Sequence, residues 1–305
     1  MRVLGCTVLG CTVPSSLLKS WEGHLAAPVQ PFFVSHALAE NLGVWPRWTR
    51  AEFSALGLPL SLTDTFTCYA VPTAVPWVLL LSGPAFNTLP EQLRAALLRE
   101  QLEHGRGRVE SAAAWAGRLP AGAGRLHDAS TDGLFLWWPS LWQTLSAASR
   151  RGVLLHLLTE DRLPHRGAEV TQALWADLDA RLPDVRRLAG TFARKSGPNC
   201  FGTVMAACGA PLADELWIHQ GPFTRWLDAS SHPSDTHDNL GTVLVWHDAH
   251  GQLQHAALAL GGGWVLQKDA QSWLAPRQIV GLPEVLDRWN EPGWTVSAHA
   301  FMHET

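Results

Sequence analysis

Three apolar runs near the C-terminus, separated by short turns, constrain this chain more than any other feature. Gly241–Trp246 reads GTVLVW, His255–Leu260 reads HAALAL and Trp264–Gln267 reads WVLQ. Asp248–Gly251 supplies a polar turn between the first two, and Gly261–Gly263 a tight turn between the second and third. Parallel neighbours need a crossover of about a dozen residues or more, usually a helix, so these runs read as an antiparallel meander. The poor alternation of HAALAL marks a strand buried on both faces. Ahead of the runs, SGPNCFGTVMAACG reads as a loop entering a helix. A helix followed by a meander predicts an α+β fold, with a Cys-bearing helix packed on an antiparallel sheet.

That helix carries the chemistry. Asn199 is a suitable N-cap, which places Cys200 in the first turn of the helix Phe201–Cys208. Free N–H groups and the helix dipole favour a thiolate there. Cys208 falls at the opposite end, where a packing role suits it better. A nucleophilic cysteine needs a base, and His255 opens the second strand of the meander. The imidazole needs a third group to orient it and select its tautomer. A hairpin turning at Gly261–Gly263 brings Gln267 roughly opposite His255. The candidate catalytic residues are therefore Cys200, His255 and Gln267. Asn199 and Gly202 are candidates on the substrate and oxyanion side.

These residues carry a family resemblance. Asn199-Cys200-Phe201-Gly202 is similar to the Asp-Cys-Ser-Gly signature of NlpC-type cysteine peptidases, whose fold is papain-like. GTVLVW followed by HAALALGGGWVLQ resembles that family's "GDLVFF … HVGIYLGNGKMIH" segment. The 55 residues from Cys200 to His255 suit the same pattern, and Gln267 falls at the third position of the family's triad. Asn199 stands where the family has Asp, Phe201 where it has Ser, and Gln267 where His is more usual. The match runs from Asn199 to about Lys268. It implies a cysteine-dependent hydrolase (peptidase or amidase) acting by acyl transfer without a cofactor or metal, on a peptide or amide, with cell-wall peptide the usual target. Three alternatives stay open: an inactive papain-like binding or regulatory module, a thiol acyltransferase or lipid esterase, and a metal-binding protein. The last would use His232, His237, His247 and His250 with Asp235, Asp238 and Asp248.

The first 190 residues are less informative. Pro90 opens a helix from Glu91 to about Glu103, with Leu93, Leu97 and Leu98 on one stripe and GRGR after it. It faintly resembles a zinc metallopeptidase helix, "LPEELRAVLAHELAHVRRRD", but Arg99-Glu100-Gln101-Leu102-Glu103 and then His104 stand where two histidines would be needed. Pro72 and Pro76 make Cys68–Leu81 an edge strand or two short strands. Leu134–Leu158 and Val170–Leu188 read as further helices or buried segments. The charged and Gly-rich stretch Gly190–Pro198 suggests a boundary, giving a mixed, mainly helical domain 1–190 and a papain-like domain 191–305.

Composition removes several classes. With 47% hydrophobic residues and 16% charged, the chain has core material and is not a disordered one. A net charge of −4 gives no basic field for nucleic acid or anionic lipid. Five cysteines do not make a disulfide scaffold. Gly-Cys pairs at Cys6 and Cys11 are weakly lipoprotein-like, but the apolar stretch before them is short for a secretory signal, and a buried first strand fits better. Reduced thiols in the cytoplasm are the expectation, with no membrane partner. Most of the 16 tryptophans are expected in the core.

Overall fold

The computed structural model describes residues 5–302, and the chain is a mixed α/β protein whose sheets are antiparallel. It divides into two compact units. Leu18–His156 forms one, and the chain up to Leu17 together with Leu157 onward forms the other. No helix among the described residues is long and apolar enough to cross a membrane.

The second of these units holds the meander. Its main elements are β1 (Cys6–Val8), β2 (Cys11–Val13), α1 (Gln172–Arg181), β3 (Thr191–Phe192), α2 (Cys200–Ala207), α3 (Gln220–Ser230), β4 (Ser231–Ser234), β5 (Thr242–His247), β6 (Leu253–Gly261), β7 (Trp264–Gln267), β8 (Pro276–Gly281), α4 (Leu282–Arg288) and β9 (Thr295–Phe301), with a short helix Asp184–Leu188 between α1 and β3. Seven strands form one antiparallel sheet in the order β3-β8-β7-β6-β5-β9-β4. The three apolar runs are the adjacent central strands β5, β6 and β7. Gly261, Gly262 and Gly263 all adopt positive φ, which lets the chain reverse between β6 and β7.

Both sheet faces are covered. Val243, Val245, Ala256, Leu258 and Leu260 share one core with Cys200, Phe201 and Val204 of α2. Leu244, Trp246, Ala257 and Ala259 share another with Leu282 and Val285 of α4, against which Trp289 and Trp294 pack. Double coverage explains why β6 lacks an alternating pattern.

The division of the chain falls at Leu157, not at 190/191. Trp175, Leu178, Leu182, Val185 and Leu188 pack into the same core as Cys200. The Gly190 N–H donates to Arg277 O, and Gly190 O accepts from Thr12 N–H of β2. Gly190 is thus an interior junction. Burial of these helices and docking of the β1–β2 hairpin are long-range events that no local composition signals.

In the unit Leu18–His156, strand Trp77–Ser82 pairs with both Val29–Val34 and Trp48–Thr49. It is therefore a central strand, not an edge. Pro72 and Pro76 both precede it, so neither removes a ladder donor. Helix Glu91–Glu103 forms as the pattern predicts and packs its Leu97 and Leu98 with Phe32 and Val34. Gln101, fully buried, accepts from Phe33 N–H at 2.7 Å and donates to Phe33 O at 2.8 Å, so one side chain completes the backbone of that strand. Glu100 accepts from Ser35 N–H and Oγ–H at 3.0 and 2.6 Å. The positions aligned with a metallopeptidase motif thus tie helix to sheet. Leu134–Leu136 is a short strand paired with Val109–Ser111 and precedes two helices. Eight of the sixteen tryptophans are buried and one, Trp217, is exposed.

Candidate functional site

Cys200 is the first residue of α2, and Asn199 caps it. Asn199 Oδ1 accepts from Gly202 N–H at 3.1 Å, the usual N-cap geometry. Asn199 Nδ2 donates to Ile218 O at 2.7 Å, tying the following loop to the helix start. An aspartate could cap but could not donate. That bond gives a physical reason for Asn at this position.

Gly202 serves packing. A Cβ there would lie 2.4 Å from Ala213 O and 3.3 Å from Ile218 Cγ1. Its N–H is already given to Asn199, so the expectation of an oxyanion donor at Gly202 does not hold in this state.

The thiol of Cys200 is buried, and Ala256 N–H lies within hydrogen-bonding reach of it. Burial pushes the thiol up to about 11, although the amides of Ala256 and Phe201 and the charge of Lys268 pull the other way. The expected helix-stabilised thiolate is therefore absent at rest. Desolvation of the charge outweighs the donors aimed at it. Cys11 and Cys68 are buried and pushed up to about 12. Cys6 and Cys208 are half-buried, so the packing role expected of the other cysteines is complete for two of the four. All five thiols are free.

His255 lies on β6, one residue before Ala256. Its Nε2 stands 3.2 Å from Gln267 Oε1. Because Oε1 can only accept, Nε2 carries the proton and Nδ1 keeps the lone pair. Nδ1 is buried without a hydrogen-bond partner, and so is Gln267 Nε2. Leu258 faces Leu266 in the β6–β7 ladder, and the register shifts between Ala259 and Gly261. Continued, that register sets Gln267 opposite Ala257, so His255 and Gln267 meet diagonally on one sheet face rather than directly opposite.

The imidazole stacks on Trp289, ring centroids 4.0 Å apart and planes 11° from parallel, and tilts against Trp246 at 5.3 Å. These rings belong to the α4 face, whereas Cys200 reaches the sheet from the α2 face. The structure brings His255 to Gln267 and Cys200 to Ala256, and leaves the thiol–imidazole hydrogen bond unmade. Burial drives His255 down to about 3, against a smaller upward pull from Gln267 and with a further lowering by Arg288. The resting pair is a neutral thiol and a neutral imidazole.

Two contributors escaped the sequence reading. Lys268 is fully buried, with Nζ donating to Ala270 O and Ser272 O at 2.5 and 2.8 Å, and its charge acts on Cys200. One signal existed: lysine occurs only at Lys19, Lys195 and Lys268 in a chain that otherwise uses arginine. Trp289 covers His255, and nothing local in its surroundings announces that role.

The His- and Asp-rich loops build turns. Asp248 Oδ1 accepts from His250 and Gln252 N–H, Asp238 Oδ1 accepts from Gly263 N–H, and His247 Nε2 meets Ser297 Oγ at 3.1 Å. Among the described residues, no three His, Cys, Asp or Glu side chains converge on a position that could hold a metal ion.

No family model, no curated protein and no solved structure matches this chain.

Proposed function

We propose that the chain is a cysteine-dependent acyl-transfer hydrolase with a papain-like site, in which Cys200 is the nucleophile, His255 the base and Gln267 its orienter. One observation carries the reading. Gln267 fixes His255 Nε2 as the donor, and the open lone pair of Nδ1 lies on the residue next to the one whose amide reaches the Cys200 thiol. At rest His255 stacks on Trp289 on the α4 face, so the reaction requires substrate to draw the ring to the Cys200 side, where Nδ1 would take the thiol proton as Sγ bonds to an amide or ester carbonyl carbon. His255 then returns that proton to the leaving amine or alcohol as its bond to carbon breaks. The Cys200 thioester is hydrolysed by water, which gives one proton to His255 and its oxygen to the acyl group. The thiolate leaving in that step takes the proton back from His255. The charge of Lys268 favours the thiolate form of Cys200. Peptide or amide substrates are the class this chemistry serves.

A second reading, a papain-like binding module without turnover, has one observation in its favour. Cys200 and His255 are both buried, at 7% and 0% exposure. One experiment separates the two. The protein is mixed with p-nitrophenyl acetate and digested for mass spectrometry. Acyl transfer predicts a stoichiometric burst and an acetyl group on Cys200, lost in Cys200→Ala and sharply slowed in His255→Ala, both folded by circular dichroism. A protein that never acetylates Cys200 is the binding module.

A further inference from the structure

Asp269 is a buried carboxylate that is ion-paired but accepts no hydrogen bond. Its side chain is 7% exposed, and neither Oδ1 nor Oδ2 has a hydrogen-bond partner. The nearest cation is Arg288, whose Nη2 stands 3.5 Å from Oδ2 while donating to Asp161 O at 3.1 Å. Burial pushes the Asp269 carboxyl up, and the charges of Arg288, Arg162 and Lys268 pull it back toward the ionised form. An ionised carboxylate accepts several hydrogen bonds, and leaving it without any in a dry place is costly. Such a group is uncommon in native proteins and calls for a partner, which water, an ion or a ligand can supply.

Asp269 lines a cavity of about 560 Å³, together with Arg162, Arg288, Trp289, Glu291 and Trp294. This volume falls in the range of small-molecule sites. Two guanidinium groups and two carboxylates make the charged wall formally neutral. Trp289 and Trp294 stack at 6.1 Å and add an apolar side. The wall thus offers an acceptor short of donors, a pair of cationic forks and aromatic surface.

We propose that this cavity binds a free α-amino acid as its zwitterion. Both oxygens are covered at rest, so the ammonium reaches Asp269 on a small movement of the wall and supplies the charge-assisted donors it lacks. The carboxylate takes the guanidinium of Arg288 or Arg162, which form bidentate pairs with carboxylates. The side chain lies against the tryptophans. A simple cation would leave the arginines repelling it, and a simple anion would face Asp269. The site does not depend on the acyl-transfer reading, since no residue of the Cys200–His255–Gln267 set belongs to it.

The test is calorimetric titration of the full chain with L-leucine, L-phenylalanine, leucinamide and N-acetyl-L-leucine. At least one of the free amino acids should bind, and L-leucine should bind at least about tenfold more tightly than leucinamide, which lacks the carboxylate, and N-acetyl-L-leucine, which lacks the ammonium. Asp269→Asn should erase the preference for L-leucine over N-acetyl-L-leucine. The ligand series on the unaltered protein stands alone should that variant fold poorly. Equal binding of L-leucine and either derivative overturns the proposal, and so does absence of binding by both free amino acids.

Discussion

His255 Nε2 and Gln267 Oε1 stand 3.2 Å apart across the diagonal of two neighbouring strands, and this contact decides which imidazole nitrogen can act as a base. Replacing the amide removes the tautomer lock but leaves the thiol and the base in place. Gln267→Ala should therefore lower kcat for acylation by p-nitrophenyl acetate by about 10–100-fold, less than the ~10²–10⁴-fold that an acid–base group itself contributes, and leave KM little changed. Equal loss from Gln267→Ala and His255→Ala would mean that Gln267 does more than orient.

Burial of His255 makes the fold acid-sensitive. The folded value of about 3 lies below the unfolded value near 6.5, so protons bind the unfolded chain preferentially. The stabilisation is complete above pH 6.5 and is lost as pH falls from 6.5 toward 3. Between pH 6.5 and 5.0 this amounts to about 2 kcal/mol, at ~1.4 kcal/mol per pH unit. Urea unfolding of His255→Phe at pH 7.5 and 5.0 should show an acid loss smaller than that of the unaltered protein by this amount. His24, His165 and His299, also lowered by burial, remain in both proteins and cancel in the comparison.

Burial pushes the Cys200 thiol up to about 11 in the folded chain, above its ordinary value of 9.0. Thiolate is the reactive form, so the folded protein at pH 7.5 should be alkylated at Cys200 by iodoacetamide at least about 100-fold more slowly than the urea-unfolded chain. Half-buried Cys6 should label first. Lys268→Met removes a charge that favours the thiolate, so the pH at which alkylation accelerates should rise. Peptide mapping of the labelled sites reads both effects. Fast neutral-pH labelling confined to Cys200 would contradict the resting state described above.

The meander was legible because its signal is local: apolar runs of strand length, separated by glycine turns, leave few ways to pair. The helix start at Asn199-Cys200 was legible for the same reason, since capping uses residues within one turn. The protonation of Cys200 was not. A helix N-terminus is visible in sequence, but the desolvation that overrides it comes from the core that Cys200 shares with β5 and β6. The division at Leu157 was hidden likewise, because Leu178 and Val185 join the core through packing with residues such as Val204 and Leu260 far along the chain. Prolines misled at Trp77–Ser82, where position before the strand mattered more than presence. Asp269 and Trp289 are ordinary residues in sequence, and only tertiary placement sets one on a cavity wall and the other on an imidazole.

Gly202 tests the link between packing and the nucleophile. In an ordinary helix interior, Gly→Ala stabilises by up to about 1 kcal/mol. Here the new methyl would sit 2.4 Å from the carbonyl oxygen of Ala213, a backbone atom that cannot rotate away. Either the loop Ala213–Ile218 retreats, straining the Asn199–Ile218 bond at 2.7 Å, or the first turn of α2 moves and carries Cys200 with it. Gly202→Ala should therefore destabilise the fold by about 1–3 kcal/mol, the usual range for overpacking, reversing the propensity sign. Urea unfolding reads the energy, and the rate of Cys200 alkylation reads the displacement. A variant as stable as the parent would show that the loop yields without cost and that α2 is not pinned at its start.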